Sequence, residues 1–284
     1  MIIHKFYLPV ILLSLLCGCT NKSGTLQQRA GAIPSLVALW DFGGENYLTS
    51  KNNPVFTFET VPGINSPALS EEGPLSGQSL LFDGEMYLHI PYEKTGALDI
   101  HTGQVTVVAW IKWSGGMNSF VGGMWDESSG GGTRQYGLFV SLPYYNGEDK
   151  VCGHVSKTGK PTPPFPFSID YSASPRTVPV GEWCMVGFTY DGTYIRSYLD
   201  GVFEEAEPEL IDNTTGFEGY PDGLVQCKNP YYFPDGLGSN GSDFTLGAVI
   251  VHGRPGNFFH GRIGGLAVYD RALTPAEMSS LALR

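Results

Sequence analysis

The sequence predicts an all-β domain, a sandwich or barrel of short strands, and three observations carry that expectation. Asp-Gly pairs stand between β-forming runs at Asp83-Gly84, Asp191-Gly192 and Asp200-Gly201. This is the strongest short-range hairpin signal, because a type I′ turn needs positive φ at both central positions. The 284 residues include 38 Gly and 20 Pro, and apolar residues seldom recur at helical spacing, which favours many strands joined by turns. The run 105–113 (VTVVAWIKW) is apolar on both faces, as a central strand covered on both sides must be.

The hub is the stretch 183–203. It reads as three strands joined at the second and third Asp-Gly pairs into a meander. Upstream, 36–42 is a first strand, 43–78 is turn-rich with one strand at 55–58, and 79–82 and 87–90 form a hairpin around Asp83-Gly84. Downstream of 105–113, strands are expected at 119–125 and 136–142, separated by a Gly-rich loop at 128–132, and at 150–156. The segments 157–180 and 204–243 are long and rich in Pro, Gly and aromatics. Loops of that length in a compact domain are functional or disordered, and the aromatic content argues against disorder. Strands at 243–251 and 261–269 close the sheet, and the apolar parity slips at Gly264-Gly265, which predicts a β-bulge. Thr274-Pro275-Ala276-Glu277 is a capping box with Pro at the first helical position, opening a short C-terminal helix.

The N-terminus reads as a targeting segment. Lys5 precedes an apolar run at 7–16 that is too short to span a bilayer. Leu16-Cys17-Gly18-Cys19 resembles the bacterial lipoprotein signal box, which implies cleavage after residue 18 and lipidation of Cys19. Thr20 in place of Asp favours the outer membrane, and 19–35 is a polar tether ahead of a domain at 36–284. Three cysteines remain after maturation, Cys152, Cys184 and Cys227; an oxidising compartment permits one disulfide and leaves one thiol over. The formal charge of −11 argues against nucleic acid and against electrostatic binding to anionic lipid, and suits Ca²⁺ or a neutral partner.

Four pieces carry a family resemblance: SLLFDGEMYLHIP at 79–91, VTVVAWIKW at 105–113, EWCMVGFTYDGTYIRSYLDGV at 182–202 and FHGRIGGLAVYDRALTPAEMSSL at 259–281. Together they resemble the laminin-G-like/concanavalin A-like lectin and glucanase superfamily. The resemblance implies a jelly-roll sandwich of two antiparallel sheets with adjacent N- and C-terminal strands. It also implies a carbohydrate-binding role and one structural Ca²⁺ at a sheet edge, for which Asp41, Asp83 and Asp270 at strand ends are candidates. The Glu-x-Asp-x-x-Glu strand motif of the superfamily's glycosidases is absent.

Candidate ligand-binding residues gather in and beside the long segments: Trp125 and Asp126, Arg134 and Tyr136, His154, Asp170 and Tyr171, Arg176, and Tyr231 with Tyr232. Aromatic rings present apolar faces to the C–H face of a sugar, and Asp, Asn and Arg satisfy its hydroxyls. The expectation is a lipid-anchored, lectin-like module at the outer membrane whose partner is a glycan, with both long insertions contributing to one site. The alternatives are a glycan hydrolase or lyase on the same fold and a protein-binding surface lipoprotein.

Overall fold

The structure is a computed structural model that describes residues 24–128, 132–163, 165, 167–211 and 224–283. Two antiparallel sheets stack face to face. The first has nine strands. Its main path runs Val202–Phe203, Tyr194–Leu199, Trp183–Tyr190, Val105–Trp113, His260–Tyr269, Ser79–Asp83, Ala68–Ser70. Leu36–Trp40 also pairs with His260–Tyr269, and Tyr231–Tyr232 pairs with Tyr194–Leu199. The second has seven, ordered Tyr171–Thr177, Gly147–Val155, Tyr136–Leu142, Ser119–Met124, Phe244–Leu246, Leu88–Ile90, Glu59–Thr60. A small sheet of Asp126–Glu127, Val249–Val251 and Arg254–Gly256 contains a parallel pair.

Three apolar clusters follow from period-2 alternation. The inner faces of both sheets form the main core, with Trp40, Val107, Ile111, Leu138 and Phe188 among its buried members. Val108, Trp110 and Ala267, which alternate with core positions, lie on the outer face of the nine-stranded sheet under two short helices. Phe120, Phe139, Cys152 and Tyr171 form the third cluster, on the outer face of the seven-stranded sheet.

The expected central strand, the three-strand meander and the adjacency of the first and last strands are all present. The bulge is present too: register slips between Ile263 and Gly265, which lets Leu36–Trp40 and Ser79–Asp83 share one side of the long final strand. The C-terminal helix, Pro275–Ser280, starts at the expected capping box.

Several expectations are corrected. The runs flanking Asp83-Gly84 do not pair with each other; Ser79–Asp83 joins the nine-stranded sheet and Leu88–Ile90 the seven-stranded one. The turn therefore carries the chain between sheets. A Cβ on Gly84 would come within 1.9 Å of the His260 ring, and its φ is +93°. Asp191-Gly192 is not a two-residue turn; Asp191 Oδ1 accepts from the amides of Thr193 and Tyr194 at 2.9 and 2.8 Å, an Asx-type cap of a longer loop. Asp200-Gly201 does have positive φ at both positions, 51° and 72°. The expected strand at 55–58 is reduced to an isolated bridge between Thr49 and Thr57, and 171–177, read as loop, is an edge strand. The expected tether at 19–35 contains a helix, Leu26–Ala32, with its own capping box at Thr25 and with Leu26 and Ala30 buried on the nine-stranded sheet. Cys152, Cys184 and Cys227 are all free, because Cys184 lies in the main core while Cys152 points to the outer face of the other sheet.

Candidate functional site

A cavity of about 220 Å³ opens on the outer face of the seven-stranded sheet. Gly147–Val155 and Tyr136–Leu142 supply its floor, since alternation turns Val151 and Val155 into the core and Cys152 and His154 outward. The long segment after Ser156 supplies one wall through Phe167, Ser168 and Ile169, and Glu127, Val251 and Asn257 come from the side of the small mixed sheet.

His154 is the centre of this floor and is only 3% exposed. Its ring lies 4.7 Å from that of Trp125, 5.3 Å from Phe139 and 4.8 Å from Tyr171. Burial, with Lys228 and Arg134 adding positive charge nearby, holds His154 well below the ordinary imidazole range, so the ring is neutral at pH 7. A neutral imidazole offers one donor and one acceptor. Nδ1 is buried and has no hydrogen-bond partner among the described residues. Leaving a buried polar atom unmet costs on the order of 1–3 kcal/mol.

Glu127 takes a hydrogen bond from Trp125 Nε1 at 2.8 Å and stands 3.9 Å from Arg134 Nη2. Burial lowers the Arg134 guanidinium, an effect that Glu127 and Asp126 oppose. Glu127 is the one carboxylate lining the cavity, so the two-carboxylate arrangement of glycoside hydrolysis is not built there among the described residues.

The two long insertions meet behind the Tyr171 wall. Tyr231 Oη donates to Asp170 Oδ1 at 3.0 Å, and Thr162 Oγ1 donates to Asp170 Oδ2. Lys228 Nζ sits 3.9 Å from the Tyr171 ring centroid and 4.8 Å from that of Tyr231, and donates to the carbonyl of Ile169 at 3.1 Å. Asp170 and Tyr231 thus brace the cavity without lining it.

Other candidate residues lie elsewhere. Tyr136 faces the core, and its hydroxyl donates to the Leu98 carbonyl at 2.7 Å. Arg176 pairs with Glu204 at 2.6 Å at the sheet edge. Asp126 Oδ1 accepts from the amide of Ser128, and Tyr232 lies on the outer face of the nine-stranded sheet. Residues 129–131 of the Gly-rich loop fall outside the described residues. Phe139, Asn118, Asn257 and Lys228 were not legible as site residues; Phe139 could have been found from its alternation with Leu138 and Val140.

The three metal candidates do not converge. Asp41 pairs with Lys51 at 3.3 Å, Asp83 caps the turn through the amide of Glu85, and the Asp270 amide donates to the Ser35 carbonyl. No group of three or more His, Cys, Asp or Glu side chains suited to a metal ion occurs among the described residues.

No protein-family model matches the sequence, and no curated protein matches it. Solved structures do. Domain 4 of an extracellular arabinanase from Geobacillus stearothermophilus, solved with arabinotriose, aligns with a TM-score of 0.56 at 16% identity, over 87% of this chain and 98% of that domain. The two share a fold. The CBM40 module of a Ruminococcus gnavus sialidase aligns with a TM-score of 0.49 at 13% identity, over 77% of this chain and 100% of that one.

Proposed function

We propose that this chain is a carbohydrate-binding module that takes a single neutral glycan unit into the pocket above His154, and that a lipid at Cys19 holds it at the outer membrane. The observation that carries the reading is the cavity over His154, whose neutral ring is packed among those of Trp125, Phe139 and Tyr171. Such a lining combines the aromatic surface of Phe139, Tyr145 and Tyr171 with the His154 imidazole, and Asn118, Glu127 and Asn257 add groups for sugar hydroxyls. At about 220 Å³ the cavity is smaller than the roughly 300–1,000 Å³ of drug-sized sites, which suits one sugar residue. The net charge of −11, with Glu127 among the lining residues, favours a neutral glycan over an acidic one. The shared fold with a domain solved in complex with arabinotriose supports the same ligand class.

The test is a glycan array on the soluble domain, followed by calorimetric titration of the best neutral ligand. Ser168→Trp should plug the pocket and abolish binding. His154→Phe keeps a ring but removes the polar atom, and should weaken binding by about 1–2 kcal/mol, or 5- to 30-fold. Wild-type affinity in both variants removes the pocket from the reading, and an array without hits removes the reading itself.

A further inference from the structure

The structure points to a second, separate binding groove on the other sheet, and we propose that it holds an extended glycan chain. The ligand class rests on the carbohydrate reading above; the location does not. The groove has a volume of about 500 Å³ and is lined by Tyr194, Arg196, Glu205, Gln226, Pro230 and Tyr232, among others. Its floor is made by strand pairing. Tyr231–Tyr232 adds to the edge of Tyr194–Leu199 in the register Tyr194 to Tyr232 and Ile195 to Tyr231. Alternation buries Ile195 in the core and leaves Tyr194, Arg196 and Tyr232 on the outer face, while Tyr231, itself mostly buried, also reaches the groove lining.

Tyr232 is 61% exposed, a large aromatic surface that the fold itself does not need to cover. Its ring centroid is 5.4 Å from that of Tyr194, and the two planes are tilted by 55°. The pair therefore makes an open angled platform. The Arg196 guanidinium is set 5.2 Å from the Tyr194 ring centroid and is fixed by an ion pair with Asp191. A fork held in that way is pre-organised, so little side-chain entropy is lost when a ligand meets it. Glu205 and Gln226 on the lining add a carboxylate and a carboxamide.

The chemistry selects a glycan chain over a protein partner. The groove lining mixes aromatic rings with charged and amide side chains and so lacks the continuous apolar patch that marks a protein interface. Rings flanked by a guanidinium, a carboxylate and an amide match a polymer that alternates C–H faces with hydroxyls. The groove is open to solvent and, at about 500 Å³, larger than the roughly 220 Å³ over His154, which suits more than one sugar residue of a chain. Two sites of moderate affinity on one module retain a polysaccharide by avidity, which can exceed either affinity by about 10²–10⁴ when both engage.

The experiment is affinity electrophoresis of the soluble domain through gels containing arabinan, xylan, mixed-linkage β-glucan or mucin, with Tyr232→Ala, Ser168→Trp and the double variant run beside the wild type. Tyr232→Ala should retain its melting temperature, because the side chain is exposed, and should lose about 3- to 10-fold in retention. The double variant should migrate as it does in a gel without polysaccharide. Unchanged retention of Tyr232→Ala beside a loss in Ser168→Trp overturns the second groove and leaves the first site standing. Loss in Tyr232→Ala with none in Ser168→Trp supports the groove and overturns the His154 pocket. Retention by none of the four polymers overturns both.

Discussion

Lys228 is the residue whose charge this fold accommodates least. Its Nζ is enclosed by two tyrosine rings and bonded to the carbonyl of Ile169, and burial brings its pKa from the ordinary lysine value down to about 7. The consequence for stability has a definite sign. The unfolded chain holds this proton up to about pH 10.4 and the folded chain only to about pH 7, so stability rises with pH between the two. The Cys152 and Cys184 thiols act in the opposite sense: burial pushes both up to about 12, so they erode stability above their unfolded value, near 8.5. Stability should therefore climb by on the order of 1 kcal/mol from pH 7 to about 8.5 and decline beyond. Lys228→Met should lose the climb while remaining folded. Urea unfolding at pH 7, 8 and 9 measures it, and an equal slope in wild type and variant would mean that the ammonium is solvated. Nothing in the sequence around Lys228 announces this. A lysine near Tyr231 and Tyr232 reads as a solvated charge until Asp170 and Tyr171 arrive from the other insertion.

At the scale of elements, local pattern was readable and pairing partners were not. Asp83-Gly84 and Asp200-Gly201 look alike in sequence, yet one turn joins a hairpin and the other carries the chain from one sheet to the other. Turn chemistry depends on a few neighbouring residues, whereas strand partners are set by contacts far away in sequence. The same limit governs the candidate site. The Tyr231–Asp170 hydrogen bond joins the two insertions, but among the described residues none of 204–243 lines the cavity over His154, and period-2 alternation sends Tyr232 to the opposite side of its sheet. The C-terminal helix was legible because its signal is local, and its contribution can be measured. Thr274 Oγ1 accepts from the Glu277 amide at 3.3 Å while Glu277 pairs with Arg271, which holds its carboxyl down at about 2. Thr274→Ala should cost about 1 kcal/mol and lower the melting temperature by about 2–4 °C. Gly201→Ala should cost more, since its φ is +72° and a Cβ would lie 2.6 Å from the Met278 carbonyl oxygen of that helix. Equal melting temperatures for Gly201→Ala and wild type would mean that the turn is not packed against the helix.

For the whole molecule, the helix Leu26–Ala32 would decide, under the proposed lipidation, how far the domain can stand from a membrane. It is fixed to the nine-stranded sheet by burial of Leu26 and Ala30, by the Tyr269 hydroxyl donating to the Ala30 carbonyl at 3.0 Å, and by Arg29 Nε donating to the Ser280 carbonyl at 2.8 Å. Under the proposed lipidation at Cys19, five residue steps separate the anchor from Gly24, whose carbonyl accepts from Arg29 Nη1 at 2.9 Å, and five steps reach no further than about 18 Å. A module so held lies close to the bilayer rather than at the end of a long stalk. The pocket over His154 belongs to the outer face of the sheet that does not carry this helix, so anchoring through Leu26–Ala32 leaves it accessible. The charge of −11 opposes adsorption to anionic lipid, so under the proposed lipidation the acyl chains alone would hold the module. Cys19→Ala should therefore move the protein from the detergent-extracted membrane fraction to the soluble fraction, with its melting temperature and glycan affinity unchanged. Raising the salt should release none of the wild type, because screening weakens ionic contacts and leaves buried acyl chains untouched. Retention of Cys19→Ala on washed membranes would sink the lipid anchor and direct attention to a protein receptor in the same membrane.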